Sequence, residues 1–212
     1  MTKMKRLMVT VAAAAGLFGL VSVPQAGAAP APAEGQGTAV SALAGGIKLR
    51  PAKVGAAHRS TAGVAGANVA EADAYLIESA AFGRCWDADL GTIGGNGTKM
   101  QLWDCDVYAA NQAFYITRIP EGYLRFQNVQ SGRYLDADLG TAGANGTKVQ
   151  LWDYRAAAKN QWWADTVNPE GYLRLQSPQN NRYLTGEGSV GSNGTRLQLW
   201  DYIAGGKSQW WY

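Results

Sequence analysis

The sequence predicts an all-β fold, a closed barrel with hairpins and pseudo-threefold symmetry, and three observations predict it. Beyond residue 72 the chain repeats itself: Asn96-Gly-Thr98 returns at Asn145 and Asn193, and Gln101-Leu-Trp103-Asp104 returns at Gln150 and Gln198. The period is 49 and then 48 residues, and Gln112, Gln161 and Gln209 keep the same phase. Self-similarity at a fixed period constrains the architecture more than any local signal. Each copy also reads as short β-forming runs between turn residues, with no stretch that holds a helical period. Finally, three copies leave no room for a fourth, while a propeller closes with roughly four or more blades.

The N-terminus stands apart from this domain. Lys3, Lys5 and Arg6 precede an uncharged, largely apolar stretch from Leu7 to Val23 and small residues at Ala26-Gly27-Ala28. That order is expected of a secretory signal peptide over 1–28. A membrane anchor is the alternative, but the stretch is rich in Ala and Gly and barely long enough to span a bilayer. Removing the leader takes three of the 19 basic residues and leaves 16 Lys+Arg against 16 Asp+Glu. A neutral mature chain gives no reason to expect a nucleic-acid or acidic-membrane partner. From Ala29 to Glu71 the chain holds 13 Ala, 7 Gly and 3 Pro and no aromatic residue. So little apolar surface cannot offset the entropy of ordering, and 29–71 is expected to be an unstructured linker. All eight tryptophans lie beyond Ala72, which places the folded domain at 72–212 with copies at about 72–119, 120–168 and 169–212.

Within the second copy the expected strands are 123–127, 133–136, 148–154 and 161–163. Asn-Gly precedes the third of them in every copy, because both residues tolerate the positive φ of a tight turn. The same triplet is a formal glycosylation sequon, but its threefold recurrence favours the turn. Side chains alternate along a strand, so Val149 and Leu151 face one way and Gln150 and Trp152 the other. Gln101 with Trp103, and Gln198 with Trp200, follow the same rule. A large aromatic set repeatedly opposite the core is the informative feature, although the tryptophans could instead cover the core from its rim.

The preceding strand places Asp87 and Asp136 on that same outer face. Each aspartate lies 16 residues before its tryptophan and 24 before Asn111 or Asn160. A carboxylate accepts from vicinal hydroxyls, an amide both donates and accepts, and an aromatic face packs on the C–H side of a pyranose. Acid, amide and aromatic together suit a sugar. The alternative for the aspartates is turn capping. Cys85 falls beside Asp87 and Cys105 beside Trp103, so the two cysteines are expected to form a disulfide. Tyr134 with Tyr154, and Tyr183 with Tyr202, mark the matching cross-strand positions.

The pattern Arg84-Cys-Trp-Asp87, Asn96-Gly-Thr, Gln101-Leu-Trp103-Asp-Cys105 and Asn111-Gln112 resembles the ricin B-type lectin repeat, also called the family-13 carbohydrate-binding module. The resemblance covers about residues 72–212 and implies a β-trefoil with one shallow sugar pocket per copy. It puts the family's carboxylate on Asp87 and Asp136, its stacking aromatic on Trp103 and Trp152, its glutamine on Gln101 and Gln150, and its amide on Asn111 and Asn160. The family's Gln-x-Trp signature matches Gln161-Trp-Trp163 and Gln209-Trp-Trp211, whereas the first copy carries Phe114; these aromatics are read as core. In the third copy Thr185 replaces the aspartate and Ser208 the asparagine. Trp200, Gln198 and Glu187 there are expected to form a weaker third site.

Other functions are constrained by inventory. His58 is the one histidine and lies in the linker, which argues against a Ser-His-Asp centre or a histidine-based metal site. A glycosidase using Asp87 and Asp89 is disfavoured, because a catalytic pair flanks one cleft and is not copied around an axis. A calcium loop starting at Asp87 fails at Thr98, where the twelfth position calls for Glu. The expectation is a secreted, monomeric, non-enzymatic protein that binds galactose-type or xylan-type glycans and needs no cofactor, metal, nucleic acid or membrane. A β-trefoil that binds or inhibits another protein is the alternative.

Overall fold

The structure is a computed structural model that describes residues 38–39, 47, 49–54, 73–188 and 191–212. The segment expected to be a signal peptide and most of that expected to be a linker lie outside these residues. Among the described residues no helix is long and apolar enough to cross a membrane.

The domain is a β-trefoil, and its strands follow the repeat. The first copy supplies β3 (Ala74–Leu76), β4 (Cys85–Ala88), β5 (Thr98–Trp103) and β6 (Phe114–Arg118). The second supplies β7 (Leu124–Asn128), β8 (Tyr134–Ala137), β9 (Thr147–Trp152) and β10 (Ala164–Val167). The third supplies β11 (Leu173–Gln176), β12 (Tyr183–Gly186) and β13 (Leu197–Trp200). The first and last strands of each copy make the barrel. β6 pairs with β7 and β10 with β11, and Ser79 and Leu173 both bridge to Trp211 to close it. The middle strands form three hairpins that cap one end: β4 with β5, β8 with β9, and β12 with β13.

One expected strand is displaced. Residues Lys159–Gln161 form a 3-10 turn rather than the start of a strand, and β10 begins only at Ala164. The Gln161 side chain explains this, since its Nε2 donates to Asp153 O at 2.9 Å while its Oε1 accepts from Arg155 N at 3.1 Å. Gln112 and Gln209 tie down the loops after Trp103 and Trp200 in the same way.

Alternation holds where it defines the core. Met100, Leu102, Val149, Leu151, Leu197 and Leu199 are fully buried, with Leu135, Leu184 and Trp86 facing them from the neighbouring strands. The first copy's departure at Phe114 has a partner in Trp86. Where the other copies hold Leu with Trp, the first holds Trp with Phe, ring centroids 5.7 Å apart at 84°. The swap roughly conserves volume, the kind of exchange a close-packed core tolerates. Phe126 and Trp211 complete this edge-to-face cluster around Trp86.

The copies are locked together by their Asn-Gly turns. Asn96 Nδ2 donates to Asp153 Oδ2 at 2.9 Å, and its Oδ1 accepts from Asp153 N at 2.7 Å. Asn145 holds Asp201 identically at 2.8 and 2.7 Å, and Asn193 holds Asp104 at 2.7 and 2.9 Å. The first copy thus grips the second, the second the third, and the third the first. An arginine completes each clasp, Arg133 on Asp153 at 2.9 Å, Arg182 on Asp201 at 3.2 Å and Arg84 on Asp104 at 3.3 Å. Gly97, Gly146 and Gly194 adopt φ near +86° to +87°, turning their amides onto Leu151, Leu199 and Leu102 of the next copy. The sequon asparagines are therefore fully engaged structural residues.

Part of the segment expected to be a linker is ordered against the barrel. β1 (Thr38–Ala39) pairs with β6, and β2 (Arg50–Pro51) pairs with β3. Tyr212 bonds Glu78 through both backbone groups, and Arg50 and Pro51 continue that line opposite Leu76 and Tyr75. β2 therefore sits where a fourth strand of the third copy would run; among the described residues that copy has none. Leu49 and Ile47 pack on the main core, and Arg50 pairs with Glu78 at 3.0 Å. With Ala52 and Val54 packed on a second, smaller apolar cluster, these four side chains and a sheet edge outweigh the low hydrophobicity that the composition of 29–71 reports as an average.

Cys85 and Cys105 form the expected disulfide, with Cα atoms 5.1 Å apart. In the other copies its place is taken by Tyr134 with Tyr154 and Tyr183 with Tyr202, ring centroids 5.3 and 5.7 Å apart. Arg125 and Arg174 then stack on Tyr154 and Tyr202, each at 4.7 Å, where the first copy has Leu76.

Closing a 20-residue separation should make the disulfide worth about 3 kcal/mol. Urea unfolding of the reduced, alkylated domain should show that loss against the oxidised form. Asn96→Ala removes both bonds to Asp153 and a third from Arg133 Nε at 3.2 Å, all at an exposed junction, and should lower the unfolding free energy by about 1–2 kcal/mol, read in the same assay. An unchanged midpoint would mean that the clasps are incidental.

Candidate functional site

In the first copy three elements converge. Strand register sets Asp87 directly across from Gln101, so Gln101 Nε2 donates to Asp87 Oδ1 at 2.9 Å. The 3-10 turn Ala110–Gln112 brings up two more amides: Asn111 Nδ2 reaches Oδ2 at 2.9 Å and Gln112 Nε2 reaches it at 3.0 Å. All four polar side chains are buried, so the face that alternation predicted to be polar is a sealed floor rather than an open surface. A carboxylate offers about four lone-pair directions, so three internal donors leave capacity for one more from outside. Trp103 stands beside this floor with 43% of its surface exposed. An open cavity of about 490 Å³ lies between them, with Asp89, Leu90 and Asp106 at its lip.

The second copy repeats the floor. Gln150 Nε2 donates to Asp136 Oδ1 at 3.1 Å, while Asn160 and Gln161 donate to Oδ2 at 2.8 and 3.1 Å. Burial pushes the Asp136 carboxyl up to about 6, against the opposing pull of the Gln150 and Gln161 amides and the Arg155 charge. Asp138 adds a smaller push in the same direction as burial. Trp152 is half-buried, and the Arg155 guanidinium lies over its ring at 5.5 Å.

The third copy keeps the shape without the acid. Thr185 is buried and its hydroxyl donates to Ser208 O at 3.1 Å, which satisfies it internally. Gln198, Trp200, Glu187 and Ile203 line a cavity of about 480 Å³, and Trp200 is 38% exposed. Glu187 stands at the lip rather than in the floor.

In the first copy Asp87, Gln101, Asn111 and Trp103 line one cavity, in the third Gln198, Trp200 and Glu187 line another, and in the second Asp136, Gln150 and Asn160 meet through hydrogen bonds. Gln112 and Gln161, read from the sequence as repeat and signature residues but not as site residues, belong to the floor as well. Asp89 and Asp138 do not act as a second acid: each accepts a hydrogen bond at 2.9 Å from its own loop, from Thr92 and Thr141. That is the turn-capping role considered for the neighbouring aspartates.

The sequence matches the family described as ricin-type beta-trefoil lectin domain-like over residues 64–152 and 110–200. No curated protein matches it in sequence. Among solved structures it is similar to the designed threefold-symmetric protein ThreeFoil, at 22% identity and a TM-score of 0.60, covering 65% of this chain and 95% of that one. It is similar to the Macrolepiota procera ricin B-like lectin solved with lactose, at 21% identity and a TM-score of 0.56, covering 68% and 96%. An exo-β-1,3-galactanase from Clostridium thermocellum aligns at 23% identity and a TM-score of 0.61, with 70% of this chain covering 31% of that one.

A folded-state value near 6 against an ordinary 3.8 means that folding takes up a proton at Asp136 between those limits. This group therefore favours the folded state more as pH falls from about 6 towards 3.8, and least above 6. Carbon-detected NMR titration of the Asp136 carboxyl should show a midpoint close to 6, clearly above an exposed aspartate in the same chain.

Proposed function

The chain belongs to the ricin-type beta-trefoil lectin domain-like family, and from that premise we propose that it is an exported carbohydrate-binding protein with working sites in its first and second copies. The observation that carries this reading is the pocket of the first copy, an acid floor beside a half-exposed tryptophan. The Asp87 carboxylate keeps one acceptor direction for a sugar hydroxyl, and the Asn111 and Gln101 amides sit within reach of neighbouring hydroxyls. The Trp103 face offers an apolar wall for the C–H side of a pyranose. The second copy repeats the arrangement with Asp136, Gln150, Asn160 and Trp152. Galactose-type residues are the first ligands to test and xylose-type chains the second.

Binding without catalysis fits the chemistry. The floor carboxylates are held by amides, and Asp89 and Asp138 are each tied to a threonine of their own loop, so among the described residues these acids are not set as a free pair across one bond. Shallow open pockets bind weakly one at a time, and two on one monomeric domain gain strength on a polymer that spans both. The third copy, lacking the charged acceptor, contributes a weaker contact through Trp200, Gln198 and Glu187. A glycan ligand on an exported chain accounts for the leader, the disulfide and the absence of net charge in the mature sequence.

Tryptophan is the cleaner probe, because truncating either aspartate strands three amide donors. Trp103→Ala and Trp152→Ala should each remove about half of the calorimetric stoichiometry for a monovalent sugar. Neither should shift the melting temperature by more than a degree or two, since both rings are partly exposed. Loss of folding in either variant would return that ring to the core, and unchanged sugar binding in both would sink the two-site reading.

A further inference from the structure

The two carboxylate sites have the same floor and opposite lips. Position 106 of the first copy corresponds to 155 of the second and 203 of the third, three residues after the platform tryptophan in each case, and it holds Asp, Arg and Ile. In the first copy Asp106 joins Asp87, Asp89 and Asp104 around the cavity, with no cation among the lining residues. In the second copy Arg155 is exposed and lies over the Trp152 ring at 5.5 Å. Among the described residues its guanidinium makes no ion pair, unlike Arg84, Arg133 and Arg182, which complete the clasps. Its charge acts on Asp136, the floor acid of the same copy, and its position matches that of Asp106 at the first cavity. Lys159, beside the floor residue Asn160 in sequence, is exposed where the first copy has Ala110.

We propose that the second copy is selective for a sugar residue that bears a carboxylate, a hexuronic acid, which Arg155 receives at the lip, while the first copy takes neutral sugars. The inference rests on the carbohydrate-binding reading and deepens it. A guanidinium stacked on an aromatic uses its face for the ring and keeps its in-plane N–H groups free for a carboxylate, which they match as a bidentate fork. The indole beneath also holds the side chain in place, so less rotamer freedom is lost on binding. A uronate can thus set its ring hydroxyls on Asp136 and its carboxylate on Arg155, which keeps the two anionic groups apart. The first pocket carries Asp106 at the position of Arg155 and has no cation among its lining residues, so a uronate there meets a carboxylate at the lip instead of a receiver. A polymer in which neutral residues alternate with uronates would satisfy both sites of one molecule.

The test uses the mature chain with Trp103→Ala, which silences the first site and isolates the second. Calorimetry with methyl glucuronide and methyl galacturonide should give affinities about tenfold above the matching neutral methyl glycosides at low salt. That preference should shrink as salt is raised and vanish in Arg155→Gln, while neutral-sugar binding persists. In the reciprocal Trp152→Ala chain the neutral glycosides should win. Equal affinity for charged and neutral glycosides, or a preference that survives Arg155→Gln, would overturn the inference and leave the carbohydrate-binding reading standing. Binding of neither class at either copy would overturn both.

Discussion

The interaction on which the rest of this structure depends is the grip of each Asn-Gly turn on the aspartate after the next copy's tryptophan. One amide side chain closes a donor and an acceptor bond onto the same residue, 57, 56 or 89 positions away in the chain. The following glycine adds a backbone bond in a conformation that a Cβ disfavours. Three such clasps run in a circle, so no copy is satisfied alone and the hairpin cap forms as a ring. The arginines contribute less, because each pairs with a largely exposed carboxylate in high dielectric. The circle also sets the pockets. Asp104, Asp153 and Asp201 directly follow Trp103, Trp152 and Trp200, and each copy's platform is therefore held by a neighbour.

Beneath the platform, the repeated glutamine joins scaffold to site. Gln112 fixes the loop after Trp103 and donates to Asp87 with the same Nε2, and Gln161 does the same for Asp153 and Asp136. A ligand therefore meets a carboxylate whose position is already determined, and binding need not reorganise the floor. The scaffold is conservative and the lip is free to vary. Asp106, Arg155 and Ile203 occupy one geometric position with three different chemistries, and none disturbs the floor below it.

Much of this was legible in the sequence. The phased motifs led to three copies, and period-two alternation separated Leu102 and Leu151 from Trp103 and Trp152. The spacings of Asp87 and Asn111 from that tryptophan brought the floor together, and cross-strand matching paired Cys85 with Cys105. What escaped depends on contacts between segments far apart in the chain. Asn96 was visible as a turn residue, but its partner in the next copy is not a local property. Gln161 looked like strand because its backbone neighbours are aromatic, while its side chain enforces a 3-10 turn. Residues 49–54 read as linker because composition averages over a long Ala-rich segment, and a vacant sheet edge beside Tyr75 and Leu76 can recruit a few residues whatever surrounds them. The role of position 155 is invisible until Trp152 is placed beneath it.

The most direct test of the central claim is a side-chain NMR titration of the intact mature domain with a monovalent neutral galactoside, observing tryptophan indole and Asn/Gln amide resonances together. The account predicts saturable shifts at the Trp103 indole and at the Gln101 and Asn111 amides, sharing one dissociation constant, with the buried Trp163 and Trp211 indoles unmoved. A saturable response confined to other residues, with the Trp103 indole and the floor amides silent, would contradict it.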